Sequence, residues 1–161
     1  MAAPDPHLVT DDDLGPLAPG LGDLVGTGRG WVNLVRDTDD DRPVTEVRTV
    51  PGMLFGRIGG RGPVEPRVTW TPARPRRRGE EPAMLGIEHG AGPRAARRLA
   101  ELGHAVPAGW RVAQDNPLRG LVVELPTGTD PQQAIRWALG AATALAPSPG
   151  TGRWRAEVHP G

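Results

Sequence analysis

Residues 130–147, DPQQAIRWALGAATALAP, constrain the fold more than any other stretch of this chain. Asp130 stands where a helix N-cap belongs, Pro131 suits the first helical position, and Gln133 completes a capping box. Ile135, Trp137, Ala138, Leu139, Ala142 and Leu145 then recur at helical spacing until Pro147 ends the run. So broad an apolar face needs a sheet or further helices to cover it.

The neighbouring residues supply strands. Residues 83–89 form a short apolar run. WRVAQ (110–114) and LVVEL (121–125), joined by DNPLRG, read as a hairpin, and RWRAEVH (153–159) alternates apolar and polar without exception. Between the first run and the hairpin, Pro93 opens and Gly103 closes a second helical pattern striped by Ala95, Leu99 and Leu102. The order strand, helix, strand, strand, helix, strand predicts an α+β fold in which residues 83–161 make a ferredoxin-like βαββαβ sandwich. Its first and third strands are the most apolar, as central strands should be. Its second and fourth carry the arginines that discourage edge pairing. Glu88, Arg111, Val122, Glu124, Arg153, Arg155 and Glu157 would share the face away from the helices.

The N-terminal half is less regular. Many of the 23 Gly and 19 Pro interrupt it. Residues 1–22 read as an acidic Pro/Gly-rich arm that packs only locally. Residues 23–72 read as an irregular, β-containing segment packed on the C-terminal domain, with β-rich runs at 44–58 and 67–72. Their strands have no fixed place, and extension of the C-terminal sheet is one option. ARPRRRGEEP (73–82) has no apolar residue larger than Ala or Pro, and reads as an exposed Arg-rich linker.

Net charge is zero but unevenly spread. Residues 1–45 hold nine Asp against three Arg, and residues 46–82 hold eight Arg against four Glu. The simpler expectation is that the acidic arm and the basic segment lie on each other. The alternative is nucleic-acid binding through Arg74, Arg76, Arg77 and Arg78.

Absences close off much chemistry. All 19 Lys-plus-Arg residues are Arg, Cys is absent, and Ser148 is the only Ser. Schiff-base and P-loop lysines, thiolate nucleophiles, disulfides and thiolate metal sites are thereby excluded. Ser148 lies between two prolines with no His nearby in sequence, a poor nucleophile. His7, His89, His104 and His159 have no ligand spacing and read as surface or turn residues. The run from Asp37 to Asp41 starts like a calcium loop, but Arg42 and Arg48 occupy its glycine and final carboxylate positions. No metal, cofactor or catalytic residue is expected. With no apolar stretch of membrane-spanning length and an acidic start, the chain is expected to be soluble and cytoplasmic.

One turn keeps a ligand reading. GIEHGAGPRAARR places Gly90, Gly92 and Ala95 as a G-x-G-x-x-A after a strand, with Asp115 about twenty residues on. A dinucleotide fold does not follow, because the second strand turns straight back and Pro93 removes a backbone donor. The ligand reading that survives is a smaller anion at His89, Gly90, Gly92, Arg94, Arg97 and Arg98, at the positive end of a helix. The simpler reading gives the glycines a tight turn and pairs Arg97 with Glu101.

Two βαββαβ families can be tested on residues. RGLVVEL (119–125) begins like the signature of the RNA-recognition domain, yet Leu121, Val123 and Leu125 stand where stacking rings belong. GWRVAQDN (109–116) is similar to the second-strand signature of acylphosphatases. The catalytic Asn which that resemblance implies falls at Ala113, and residues 90–94 do not match that family's phosphate loop.

The expected function is therefore non-enzymatic: a protein-interaction or small-ligand-binding module, with a protein partner or self-association through an edge strand. An anion-recognising enzyme or sensor at 89–98 is the first alternative, and nucleic-acid binding the second. Trp31 has no assigned role.

Overall fold

Asp130 does cap the long helix, its carboxylate accepting the Gln132 N–H at 3.3 Å. In a computed structural model that describes residues 5–37, 65–148 and 150–161, this helix is α3 (Pro131–Leu145). It buries Ala134, Ile135, Ala138, Leu139, Ala141, Ala142 and Leu145. The β-rich run at 44–58 lies outside the described residues.

What α3 covers is larger than the expected four-stranded sheet. The chain runs β1 (His7–Thr10), a 3-10 turn (Gly15–Leu17), α1 (Ala18–Thr27), β2 (Trp31–Arg36), β3 (Arg67–Thr71), β4 (Arg74–Pro75) and β5 (Glu80–Glu81). It continues through β6 (Met84–Glu88), α2 (Ala95–Glu101), β7 (Arg111–Asn116), β8 (Gly120–Glu124), α3 and β9 (Arg153–His159). Seven of the strands form one sheet, ordered β1-β9-β2-β3-β6-β8-β7, with every neighbouring pair antiparallel. The molecule is thus mixed α+β, with a large antiparallel sheet and three α-helices among the described residues.

The order corrects one expectation. A four-stranded ferredoxin-like sheet would set β9 beside β6, but β2 and β3 stand between them. Each end of the sheet is a split β-α-β unit. In one, β1 and β2 flank β9 and are joined through α1. In the other, β6 and β7 flank β8 and are joined through α2. The helix α3 connects the two middle strands, and β3 joins the units by pairing with β2 and β6.

Residues 7–22 are part of this fold rather than a locally packed arm. The register sets Val9 opposite Trp154, and Val9, Leu14, Leu17 and Leu21 lie in the same core cluster as α3. Alternate residues of every central strand join them, including Val32, Leu34, Val68, Trp70, Leu85, Ile87, Leu121 and Val123. One continuous core follows, with α1, α2 and α3 contributing to it.

No described helix packs on the other face. Glu157, Asn33, Thr69, Gly86, Val122 and Gln114 form one row straight across it. The residues expected on this face are there, and Arg111 with Glu124 makes a two-point ion pair across β7 and β8. Trp31 belongs here too, stacked on His159 with centroids 4.9 Å apart. Both sheet edges are blunted. β1 has four residues and follows Pro6, while β7 carries a register shift between Val112 and Gln114.

Candidate functional site

The strand-to-helix turn is built around a buried histidine. His89 follows β6 directly and is a turn residue, as its sequence setting implies, but it is 3% exposed rather than on the surface. Its Nδ1 accepts the Ala91 N–H at 3.2 Å, while Nε2 is enclosed without a partner. Burial holds the imidazole below its ordinary pKa, and the opposing pull of the Asp115 carboxylate is smaller. Just before it, Glu88 faces the opposite side of the sheet, beside Arg67 in register. Burial pushes its carboxyl above the usual range, against a smaller effect of Arg67.

The helix starts later than Pro93 suggests. Arg94 takes a left-handed backbone conformation, φ 61° and ψ 43°, so α2 begins at Ala95. The two amides at that start are already met. Asp115, from the edge strand β7, accepts the N–H groups of Ala95 and Ala96, each at 3.0 Å. This is the acid that the G-x-G-x-x-A spacing points to, employed as a helix cap rather than as a ligand contact.

The remaining candidate residues of this turn do not converge. Arg97 donates to Glu101 at 3.2 Å, as in the simpler sequence reading, and Arg98 turns back to the Ala91 carbonyl at 3.4 Å. Gly90 is exposed, and Gly92 has φ 85° with open space where a Cβ would stand. That loop conformation suits glycine.

The basic segment 73–82 is an ordered arm. β4 and β5 pair as a two-stranded ribbon apart from the main sheet, with Arg74 opposite Glu81 and Pro75 opposite Glu80. Gly79, at φ 86°, closes the turn. Arg76 grips the Glu81 carboxylate through Nε at 3.2 Å and Nη2 at 2.8 Å. Residues 75–80 are all exposed. At its base, Pro75 and Ala73 approach Gly28 so closely that a Cβ there would sit 2.9 Å from the Pro75 ring. Anchored base and exposed tip make Arg77 and Arg78 a projecting cationic pair.

Its acidic counterpart is elsewhere. Asp11, Asp12 and Asp13 are exposed in the turn after β1. Among the described residues, neither these three aspartates nor Arg77 or Arg78 makes an ion pair. Asp13 instead accepts the Gly15 N–H. The expected contact of acidic arm on basic segment is not made by these residues within one chain.

Among the described residues no group of three His, Asp or Glu is placed to hold a metal, and no helix is long and apolar enough to cross a membrane. No known protein family, curated protein or solved structure matches the chain.

Proposed function

We propose that the chain is a non-enzymatic protein-interaction module whose docking element is the arginine-tipped β4–β5 ribbon, and that it docks on the Asp11–Asp13 turn of a second copy. One observation carries the reading: two exposed, oppositely charged turns on one chain, neither neutralised by the other. Edge-strand pairing is the weaker route to a dimer, since both edges are blunted. Nucleic acid is a poorer fit for the ribbon, because Glu80 and Glu81 return beside the tip and Arg76 is already paired. The turn at 89–98 is a poorer site for an anion, since Asp115 holds the helix amides. We further read residues 83–161 as a ferredoxin-like unit opened by the insertion of β2 and β3.

Exposed ion pairs are individually weak and screened by salt, so the association is weak and salt-dependent. Sedimentation velocity over a concentration series at low and high salt tests it. The expected result is a sedimentation coefficient that rises with concentration at low salt and does not at high salt. The R77E/R78E double variant stays monomeric, as does D11R/D12R, and an equimolar mixture of the two associates. A wild-type chain that is monomeric throughout overturns the reading. Salt-dependent retention of that monomer on heparin, lost in R77E/R78E, would put nucleic acid in its place.

A further inference from the structure

The joint between β6 and α2 holds two unrelieved costs. Arg94 sits in a left-handed conformation that a side chain disfavours. His89 is the second. Because its Nδ1 accepts the Ala91 N–H, the neutral ring carries its proton on Nε2. That N–H is enclosed without an acceptor.

The charged groups around the ring come from three directions. Asp115 on β7 is the charge that acts on it. From α2, Arg98 reaches the Ala91 carbonyl. Within β6, Glu88 lies on the other face of the sheet, opposite Arg67 of β3.

We propose that this joint is an acid-opened latch, in which protonation of His89 draws Asp115 off the N-terminus of α2. The proton goes to Nδ1, so the ring can no longer accept the Ala91 N–H and that bond breaks. The resulting imidazolium has two donors and a positive charge, buried where it needs a carboxylate. Asp115 is the carboxylate within its field, and it is the group that holds Ala95 and Ala96. Competition for one side chain thus couples the charge of a buried ring to the start of a helix. The unmet Nε2–H is relieved once Asp115 turns to the ring, so that cost favours the open form. Asp115 connects edge strand β7 to α2, so opening loosens one end of the sheet's cover.

Following the amide resonances of Ala91, Ala95 and Ala96 by NMR from pH 7.5 to 4.5 tests the latch in the full chain. All three are expected to move together, with one midpoint below the ordinary 6.5 of histidine. In His89→Gln that shared transition disappears. Ala95 and Ala96 standing still while Ala91 moves would overturn the proposal. So would a shared transition that survives His89→Gln. Should that variant fail to fold, Asp115→Asn serves: the Ala91 midpoint drops further, because the carboxylate that favoured the charged ring is gone. An unchanged midpoint there overturns the coupling.

Discussion

Arg94 shows what one residue can hide from a pattern reading. Pro93 is a sound first helical residue on statistics, and the sequence around it carries the apolar stripe of a helix. Nothing in that stripe reveals that the backbone turns left-handed at Arg94 before α2 starts. A non-glycine residue in that region costs roughly 1–2 kcal/mol, partly recovered by the entropy that glycine adds to the unfolded chain. Arg94→Gly is therefore expected to raise unfolding stability by up to about 1 kcal/mol, read from urea denaturation. A loss of that size would show that the Arg94 side chain makes a stabilising contact outweighing the strain. Glu88 poses a different contest, burial against the attraction of Arg67. Burial is the larger effect and raises the carboxyl's pKa in the folded chain. The sign follows: this group's contribution to stability is present below the unfolded value of 4.5 and is lost as pH rises through the folded value. Glu88→Gln should accordingly gain more stability over wild type at pH 7.5 than at pH 4. The reverse ordering in paired urea melts would make the Arg67 pair dominant.

At the scale of elements, the two helix caps contrast. α3 was legible because its signals are local: cap, first-position proline, periodic face and terminating proline all lie within eighteen residues. Its cap is written beside it, and Asp130→Ala should cost about 1 kcal/mol of stability with no change in the denaturant slope. A cost near zero would mean that burial of the α3 face, rather than the cap, fixes where the helix begins. The cap of α2 comes from Asp115, twenty residues on in a strand, and no local pattern assigns it that task. Its spacing was visible and its role was not, since only the return of β7 beside β8 brings the carboxylate to the helix. The same limit applies to the ribbon. ARPRRRGEEP has no apolar residue larger than Ala or Pro and so reads as a linker, yet its two ends pair across a glycine turn, with Arg76 on Glu81 and the base against Gly28.

For the whole molecule, the alternation of apolar residues specified each C-terminal strand but not its neighbours. A half-buried strand such as RWRAEVH presents the same face whichever strand lies beside it, so pairing depends on what else the chain offers. Here the N-terminal half offers β1, β2 and β3, and β9 is enclosed by β1 and β2 instead of pairing with β6. This makes the two halves interdependent, which a division at residues 73–82 conceals. An isolated fragment of residues 83–161 would retain β6-β8-β7 and two helices, but β9 would have no partner from the full sheet. It would also lose Val9, Leu14, Leu17, Leu34, Val68 and Trp70 from the single core. At roughly 1.5–3 kcal/mol for each large apolar side chain, that loss rivals the whole stability of about 5–15 kcal/mol typical of a domain. The fragment is expected to show a collapsed amide spectrum and no cooperative thermal transition, while residues 1–161 melt in one step. A fragment that melts cooperatively must have closed β9 directly onto β6, which would make the ferredoxin-like arrangement an autonomous fold and the inserted strands an addition to it.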